Sequence, residues 1–200
     1  MTLPLPLPPR HTAPATALRL PGDGVMWLLV LVELATFGLM FAAFAVVRAT
    51  HPELFDRSQA MLDASKGAIN TWLLIGGSGC VVQAVRAAAA GRGRAEAGWL
   101  VAAQASGLAF AALKLGEYAA LSGQGIDVET NVFFTLYFLL TGFHFLHVLA
   151  ATVLLGLVLP AAWRGGGGER HGHAVETVAT FWHLVDLLWL VLFPLVYILR

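Results

Sequence analysis

The chain has 200 residues, of which 58% are hydrophobic and only 12% are charged, so its composition is not that of an ordinary soluble domain. Twelve basic residues balance twelve acidic ones, and no basic tract is present, which argues against nucleic-acid binding. The single cysteine, Cys80, lies in an apolar block and cannot form an internal disulfide.

The N-terminal segment is rich in proline. Its opening, M-T-L-P-L-P-L-P-P-R, lacks the basic region that precedes the apolar part of a signal peptide. Closely spaced prolines favour a polyproline-like conformation over a helix. We therefore expect residues 1–24 to form a flexible tail rather than a cleaved leader.

Five apolar stretches are long enough to cross ~30 Å of hydrocarbon as helices, which takes about 20 residues. Helices are expected because backbone exposed to lipid must be hydrogen-bonded within its own segment, and no alternating pattern favours a barrel. The sequence thus predicts an all-α polytopic membrane protein. Its membrane domain, residues 25–200, is a five-helix bundle with spans at approximately 25–47, 69–90, 99–121, 131–159 and 178–199.

The distribution of lysine and arginine predicts the orientation. With five spans, the N-terminal tail and the second and fourth connections share one side of the membrane. That side carries seven basic residues against four on the other, so we expect a cytoplasmic N-terminus and an external C-terminus. The seven are Arg10, Arg19, Arg86, Arg92, Arg94, Arg164 and Arg170; the four are Arg48, Arg57, Lys66 and Arg200.

The first span carries an acidic residue, Glu33, roughly 12 Å into the membrane. The span offers it no basic neighbour, so the carboxyl is expected either to be protonated or to be hydrogen-bonded to another helix. A structural role and a proton-related one both remain open. The same face carries the phenylalanines Phe37, Phe41 and Phe44. Phe37 and Phe41, with Trp182 of the fifth span, are candidates for lipid contact.

The next two spans carry small residues and an ion pair. Gly76, Gly77 and Gly79 of the second span are expected to permit close approach of a neighbouring helix. Lys114 and Glu117 of the third span are three residues apart near the outer face. They are expected to form an intrahelical ion pair whose lysine extends towards the surface.

The last two spans each carry two polar residues at a spacing of three. His144 and His147 can supply two metal ligands from one helix face, but interhelical hydrogen bonds are the commoner use of such histidines. His183 and Asp186 can pair as a structural clasp or handle protons. Glu33 and these four residues are at depths that allow them to meet in one polar layer.

The order of motifs along the chain resembles subunit III of the haem–copper oxidases. Each motif alone is moderately specific, whereas their sequence across almost the whole chain is strongly so. The motifs are E-L-A-T-F-G-L-M-F from Glu33, Asn70-Thr71 at the start of the second span, F-A-A-L-K-L-G-E-Y ending at Tyr118, T-G-F-H-F-L-H-V from Thr141, and Glu176 followed by F-W-H-L-V-D-L-L-W.

Two features refine this resemblance. Five spans resemble the short bacterial forms found in quinol oxidases and beside nitric oxide reductases. Lys114 stands where the oxidase subunits usually have glutamine, and together with the run N-V-F-F-T-L-Y-F-L-L-T-G-F-H it is most similar to the nitric-oxide-reductase-associated subgroup.

The resemblance implies a subunit without redox centres in a bacterial inner membrane, with a periplasmic C-terminus. Haem and copper are expected in the partner, subunit I, beside which such subunits pack with their sister subunits. Bound phospholipid and support of assembly and of sustained, proton-coupled turnover in aerobic respiration are further expectations. The residue matching Glu33 is the family's carbodiimide-reactive carboxyl. Glu33, Lys114, Glu117, His144, His147, Glu176, His183 and Asp186 are thus intramembrane polar residues with structural or proton-related roles.

Two other classes of protein remain as alternatives. One is a self-contained membrane metal or haem protein that uses His144, His147 and His183 as ligands. The other is a small proton-coupled transporter, although the chain lacks a convincing internal repeat.

Overall fold

The computed structural model describes residues 24–199. This part of the chain forms six α-helices and a terminal π-helical segment. The helices are α1 (Gly24–Thr50), α2 (Pro52–Gln59), α3 (Ala64–Ala89), α4 (Gly93–Gly123), α5 (Val132–Trp163) and α6 (Glu169–Phe193), followed by the π-helical segment Pro194–Ile198. The predicted tail, residues 1–24, lies outside the described residues except for its last position.

Five of these helices are long and apolar enough to cross a membrane, namely α1, α3, α4, α5 and the combined Glu169–Ile198 segment. The prediction of a five-span helical bundle is therefore confirmed. Several helices extend past the predicted ends because the backbone hydrogen bonding of a helix can continue through the polar residues that flank its apolar run. Asp63, for example, accepts hydrogen bonds from the backbone N–H groups of Ser65 and Lys66 and so starts α3 five residues earlier than its apolar run.

The short helix α2 was not predicted. Pro52 occupies its first turn, where the missing N–H is not needed. Its Phe55 is fully buried, with ring centroids 5.1 Å from Phe44 of α1 and 5.2 Å from Phe133 of α5. This helix therefore closes one end of the bundle by joining α1 to α5.

Close packing of α3, α4 and α6 depends on one glycine of the three noted in the second span. A Cβ added at Gly77 would lie 2.7 Å from the Trp182 ring and would also overlap Ser106, whereas Gly76 and Gly79 have open space around that position. Trp182 is only 2% exposed, so its predicted lipid contact is wrong: the ring fills the space that Gly77 leaves.

Helix α1 packs against the rest of the bundle through a narrow stripe of buried side chains. Its buried residues are Val30, Phe37 and Phe44, which recur every seven positions and therefore lie on one face. Phe37 is 0% exposed, with its ring centroid 5.3 Å from that of Phe143 in α5, so its predicted lipid contact is wrong. Phe41 is partly exposed, and its contact with lipid stays a prediction. Most of the remaining surface of α1 is exposed and apolar, as at Leu28, Leu31, Val32, Leu39 and Val46.

The connection between α5 and α6 is an ordered turn built from glycine. Gly165, Gly166 and Gly168 have φ angles of 110°, 31° and 99°, in the region that other residues rarely adopt. Glycine at these positions lets the chain reverse within a few residues, so that α6 returns antiparallel against α5.

The end of α6 changes its helical pattern at Pro194. Proline has no N–H and its ring interferes with the preceding turn, so the ordinary hydrogen bonding cannot continue through it. The chain widens into the π-helical segment, closed by a 2.9 Å bond from Leu199 N–H to Pro194 C=O. The altered register turns Val196 and Tyr197 into the bundle, where both are buried.

Candidate functional site

Within residues 24–199, the intramembrane polar residues singled out from the sequence do not form the single polar layer that their depths suggested, and most of them belong to three separate groups. Each group joins at least two helices, so each has a local role in holding the fold. We name them the lysine cluster (Lys114, Glu117, Tyr137 and Tyr197), the serine cluster (Ser78, His183 and Asp186) and the Glu33–His147 pair.

The lysine cluster connects α4, α5 and the π-helical segment. Lys114 Nζ lies 3.1 Å from Glu117 Oε2, 3.1 Å from the Tyr137 hydroxyl and 2.6 Å from the Tyr197 hydroxyl. The other carboxylate oxygen of Glu117 accepts from the hydroxyls of Tyr137, at 2.9 Å, and Tyr197, at 2.7 Å. Both tyrosines thus accept from the lysine and donate to the glutamate.

Counting donors shows that this network is closed. An ammonium group has three N–H donors, and each phenol has one O–H donor. The three contacts of Lys114 and the two contacts to Glu117 account for all five. A buried charge pair with every donor satisfied is the arrangement in which mutual attraction best offsets desolvation.

Lys114 is fully buried, at 0% exposed. The predicted intrahelical ion pair is present, but the expected extension of the lysine towards the surface is wrong. Aromatic rings explain the burial, since the ammonium lies 5.6 Å from the Trp189 ring centre and 5.2 Å from that of Tyr118. The cation is therefore compensated by rings as well as by the carboxylate.

The serine cluster connects α3 to α6. Ser78 Oγ donates to Asp186 Oδ2 at 2.7 Å and lies 3.2 Å from His183 Nδ1. Because the single serine hydrogen goes to the aspartate, the serine oxygen accepts from the histidine, which must carry its proton on Nδ1. His183 and Asp186 are thus linked through a third residue that the sequence analysis did not single out, and not directly.

The Glu33–His147 pair connects α1 to α5. His147 Nδ1 lies 2.8 Å from the Phe143 carbonyl oxygen, which can only accept, so Nδ1 carries a hydrogen. Nε2 is 3.1 Å from Glu33 Oε2, and the two side chains are 12% and 19% exposed. The two side chains therefore contact each other between α1 and α5, although Glu33 Oε2 accepts no hydrogen bond within residues 24–199.

His144 lies in a different environment from His147 although the two are one turn apart. Its ring packs 5.1 Å from Trp189, 5.8 Å from Phe110 and 6.4 Å from Phe37. Neither of its nitrogens has a hydrogen-bond partner within the described residues. The histidines thus do not converge, and residues 24–199 contain no group of three His, Cys, Asp or Glu side chains placed to hold a metal ion.

One further pair was missed by sequence reasoning. His171 Nε2 lies 2.6 Å from Oε1 of the buried Glu96, linking the first turns of α4 and α6. No sequence signal could have found it, because both residues read as surface charges beside glycine-rich turns. Glu176, by contrast, is exposed on α6 and lines a groove with Arg86 of α3.

These observations define a class of protein: a multi-pass helical membrane protein whose buried polar groups join helices to one another. A family model for cytochrome c oxidase subunit III matches residues 58–200. Cytochrome c oxidase subunit 3 of Synechocystis sp. is 34% identical over 183 residues, which cover 88% of this chain and 74% of the relative.

Two more distant relatives agree with this match. Cytochrome bo(3) ubiquinol oxidase subunit 3 of Pseudomonas aeruginosa is 24% identical over 173 residues, 86% of this chain and 82% of the relative. A protein of Aeropyrum pernix named heme-copper oxidase subunit I+III is 25% identical over 179 residues, 86% of this chain and 22% of the relative. The chain belongs to the cytochrome c oxidase subunit III family, as the resemblance implied.

Proposed function

We propose that this subunit III packs beside the catalytic subunit of a respiratory haem–copper oxidase and supports its assembly and sustained turnover. The observation that carries the proposal is the closed lysine cluster. A site that binds or transforms a substrate presents polar groups to an open cavity, whereas Lys114 is sealed within the bundle and all of its donors are used. In this proposal, chemistry on a substrate belongs to another chain.

The proposed partner is the subunit that holds haem and copper. The relative named subunit I+III supports this assignment, because its name joins the two subunits in one polypeptide. In this chain, His147 already contacts Glu33, and His183 already contacts Ser78. These two histidines contact neighbouring helices, and in this proposal haem and copper are held by the partner subunit. Phospholipid is the proposed ligand of its exposed apolar faces.

The proposed orientation places the N-terminus in the cytoplasm and the C-terminus in the periplasm of a bacterial inner membrane. The excess of arginine on the side of the α3–α4 and α5–α6 connections supports it, since cytoplasmic loops retain basic residues. The connections on the opposite side contain fewer basic residues, namely Arg48, Arg57 and Lys66.

Glu33 has a proposed role in holding α1. Its contact with His147 gives the helix one polar attachment beside the stripe of Val30, Phe37 and Phe44.

Co-purification with haem typing tests the proposal. The chain, carrying an affinity tag, is purified from its native membrane in mild detergent, and the visible spectrum is compared with that of the chain expressed alone. We expect haem bands and copper only in the native preparation, on a larger co-purifying subunit. A stoichiometric haem band in the chain expressed alone would instead establish the self-contained haem protein, and substrate uptake by that chain in proteoliposomes would establish a transporter.

An accessory subunit of a nitric oxide reductase is the second candidate. One observation favours it. Lys114 and the run N-V-F-F-T-L-Y, which together resembled the nitric-oxide-reductase-associated subgroup, are in contact, since Lys114 Nζ lies 3.1 Å from the hydroxyl of Tyr137 in that run. Gas consumption by the purified complex separates the candidates. Oxygen uptake with reduced cytochrome c or a quinol supports the oxidase, whereas reduction of nitric oxide alone supports the second assignment.

A further inference from the structure

The α3–α4 and α5–α6 connections pack against each other at one end of the bundle. A Cβ added at Gly93, the first residue of α4, would lie 2.6 Å from the carbonyl oxygen of Ala162 and 2.7 Å from the carbonyl carbon of Gly165. The start of α4 therefore lies directly against the end of α5. The contact between Glu96 and His171 joins the same two connections a second time, because these residues are in the first turns of α4 and α6.

The Glu96 carboxylate is buried beneath the glycine turn, residues 165–168, with one of its oxygens unpaired. Oε1 lies 2.6 Å from His171 Nε2, whereas Oε2 has no hydrogen-bond partner within residues 24–199, and the side chain is 0% exposed. Gly166 covers this pair. A Cβ added there would lie 2.8 Å from Glu96 Oε2 and 3.2 Å from His171 Nε2. The backbone of the glycine turn thus keeps solvent from the unpaired oxygen.

His171, unlike Glu96, is open to the aqueous phase. Its side chain is 11% exposed and lines a crevice of ≈ 330 Å³ between the two connections. Imidazole is the side chain whose charge ordinarily changes between pH 5 and pH 8. A proton can therefore reach or leave the ring while the bundle stays folded.

The other charged groups around the pair are exposed. Within residues 24–199, none of them forms a hydrogen bond or an ion pair with Glu96 or His171. Exposed charges are screened by salt, so they affect the pair less than its two members affect each other. These groups are Arg86 of α3, Arg92 and Arg94 at the start of α4, Arg164 after α5, and Glu169, Arg170 and His173 of α6.

The charge of the pair depends on one proton. With His171 protonated, an imidazolium faces a carboxylate and the pair is neutral overall. After deprotonation the ring keeps one N–H, which it donates to Oε1, and the pair carries a net charge of −1. A buried carboxylate without a counter-charge is costly. Water relieves this cost when it reaches Oε2, which requires Gly166 to move away.

We propose that Glu96 and His171 form a pH-operated latch on the glycine turn. The latch is closed when His171 is protonated, and it releases the turn when that proton is lost. The turn is therefore most ordered in acid and opens as the pH rises through neutrality. In the proposed orientation this end of the bundle faces the cytoplasm, so the subunit responds to cytoplasmic pH; this last point alone rests on the proposed function.

Amide hydrogen exchange in the intact complex tests the latch. The complex is purified into nanodiscs and exchange is followed by mass spectrometry at pH 5 and pH 8, with labelling times scaled to the chemical exchange rate at each pH. We expect protection of residues 165–171 to be about fivefold lower at pH 8, the factor that about 1 kcal/mol of ion pairing supplies. The α4–α5 connection, residues 124–131, contains no histidine and should show no such change. Equal or greater protection of residues 165–171 at pH 8 would overturn the proposal.

Three variants then assign the response. His171→Gln leaves the carboxylate without a cation at every pH, so the turn should be poorly protected at both pH values. Glu96→Gln removes the buried charge, so the turn should stay protected at pH 8. His173→Gln is the matched control, because His173 is exposed two residues away, and it should keep the full response.

A response that persists in His171→Gln, or one that is lost in His173→Gln, would also overturn the latch. Co-purification of the haem-containing subunit, scored in each preparation, reports whether a variant has folded. If one variant fails to fold, the unmodified complex and the other variant still decide the outcome. Failure of the proposed function would appear as loss of the co-purifying subunit, whereas failure of the latch would appear in the exchange data.

Discussion

Removing one member of the Lys114–Glu117 pair should lower the free energy of unfolding by far more than the intact pair contributes to it. Glu117→Leu leaves the Lys114 ammonium buried without its carboxylate and takes the acceptor from two tyrosine hydroxyls. Lys114→Met leaves the carboxylate without its cation. Breaking a buried pair from either side costs about 3–5 kcal/mol, so the two single changes together predict a loss of about 6–10 kcal/mol in the free energy of unfolding.

The double variant should lose much less than that sum. With both charges gone, the remaining cost is that of two tyrosine hydroxyls without partners, about 1–3 kcal/mol each. The expected coupling free energy is therefore about 4 kcal/mol. The change is measured by unfolding the full-length chain from bicelles with a denaturing detergent. Arg57 and Glu53, an exposed ion pair on α2 at 3.3 Å, serve as the control and should couple by only about 0.3–0.5 kcal/mol.

Additive losses would refute this reasoning. A coupling free energy of about 0.6 kcal/mol is the average for polar pairs between membrane helices. Such a value would mean that water or the remaining tyrosines compensate the isolated charge. Lys114→Gln offers a second check, because glutamine keeps two donors while removing the cation. It should cost less than Lys114→Met, and an equal cost would mean that charge alone matters.

Three further changes test the remaining contacts. Gly77→Ala should destabilise the subunit by about 1–3 kcal/mol, because the added methyl group overlaps the buried ring of Trp182. Gly76→Ala should have no such effect, because the space around Gly76 is open. Equal melting temperatures for the two variants would contradict the packing described. Asp186→Ala should lower the amount of subunit in the membrane more than Glu33→Gln, because it removes the acceptor that joins α3 to α6; equal levels on immunoblots would count against this. His147→Leu should lower the melting temperature of the subunit, since it removes the polar contact between α1 and α5, and an unchanged melting temperature would count against a role for that contact.

The spans were predictable because hydropathy reports the length of an apolar run directly. Helix α2 was not, since P-E-L-F-D-R-S-Q is polar overall and its single buried anchor, Phe55, makes sense only beside α1 and α5. Likewise, the π-helical segment that begins at Pro194 was not predicted, nor was the hydrogen bond that it allows between Tyr197 and Lys114.

Which helix faces point inwards could not be predicted from the sequence. In a soluble protein, polar residues mark the outside of a helix, whereas in a membrane both lipid and neighbouring helices are apolar. Phe37 and Trp182 therefore looked equally suited to lipid and to the interior. Lys114 was assigned to the surface for the related reason that a long cationic side chain near a span's end usually reaches water. The four rings that surround it come from α4, α5, α6 and the π-helical segment.

The dependence of α1 on α5 affects how the chain is made. Glu33 enters the bilayer roughly 110 residues before His147 is synthesised, a delay of about 5–20 seconds at ribosomal speed. During that interval the carboxyl has no histidine beside it, and α1 lacks its polar contact with α5. Ribosomal pausing or a membrane chaperone acting between the synthesis of these two residues would therefore affect the yield of folded subunit.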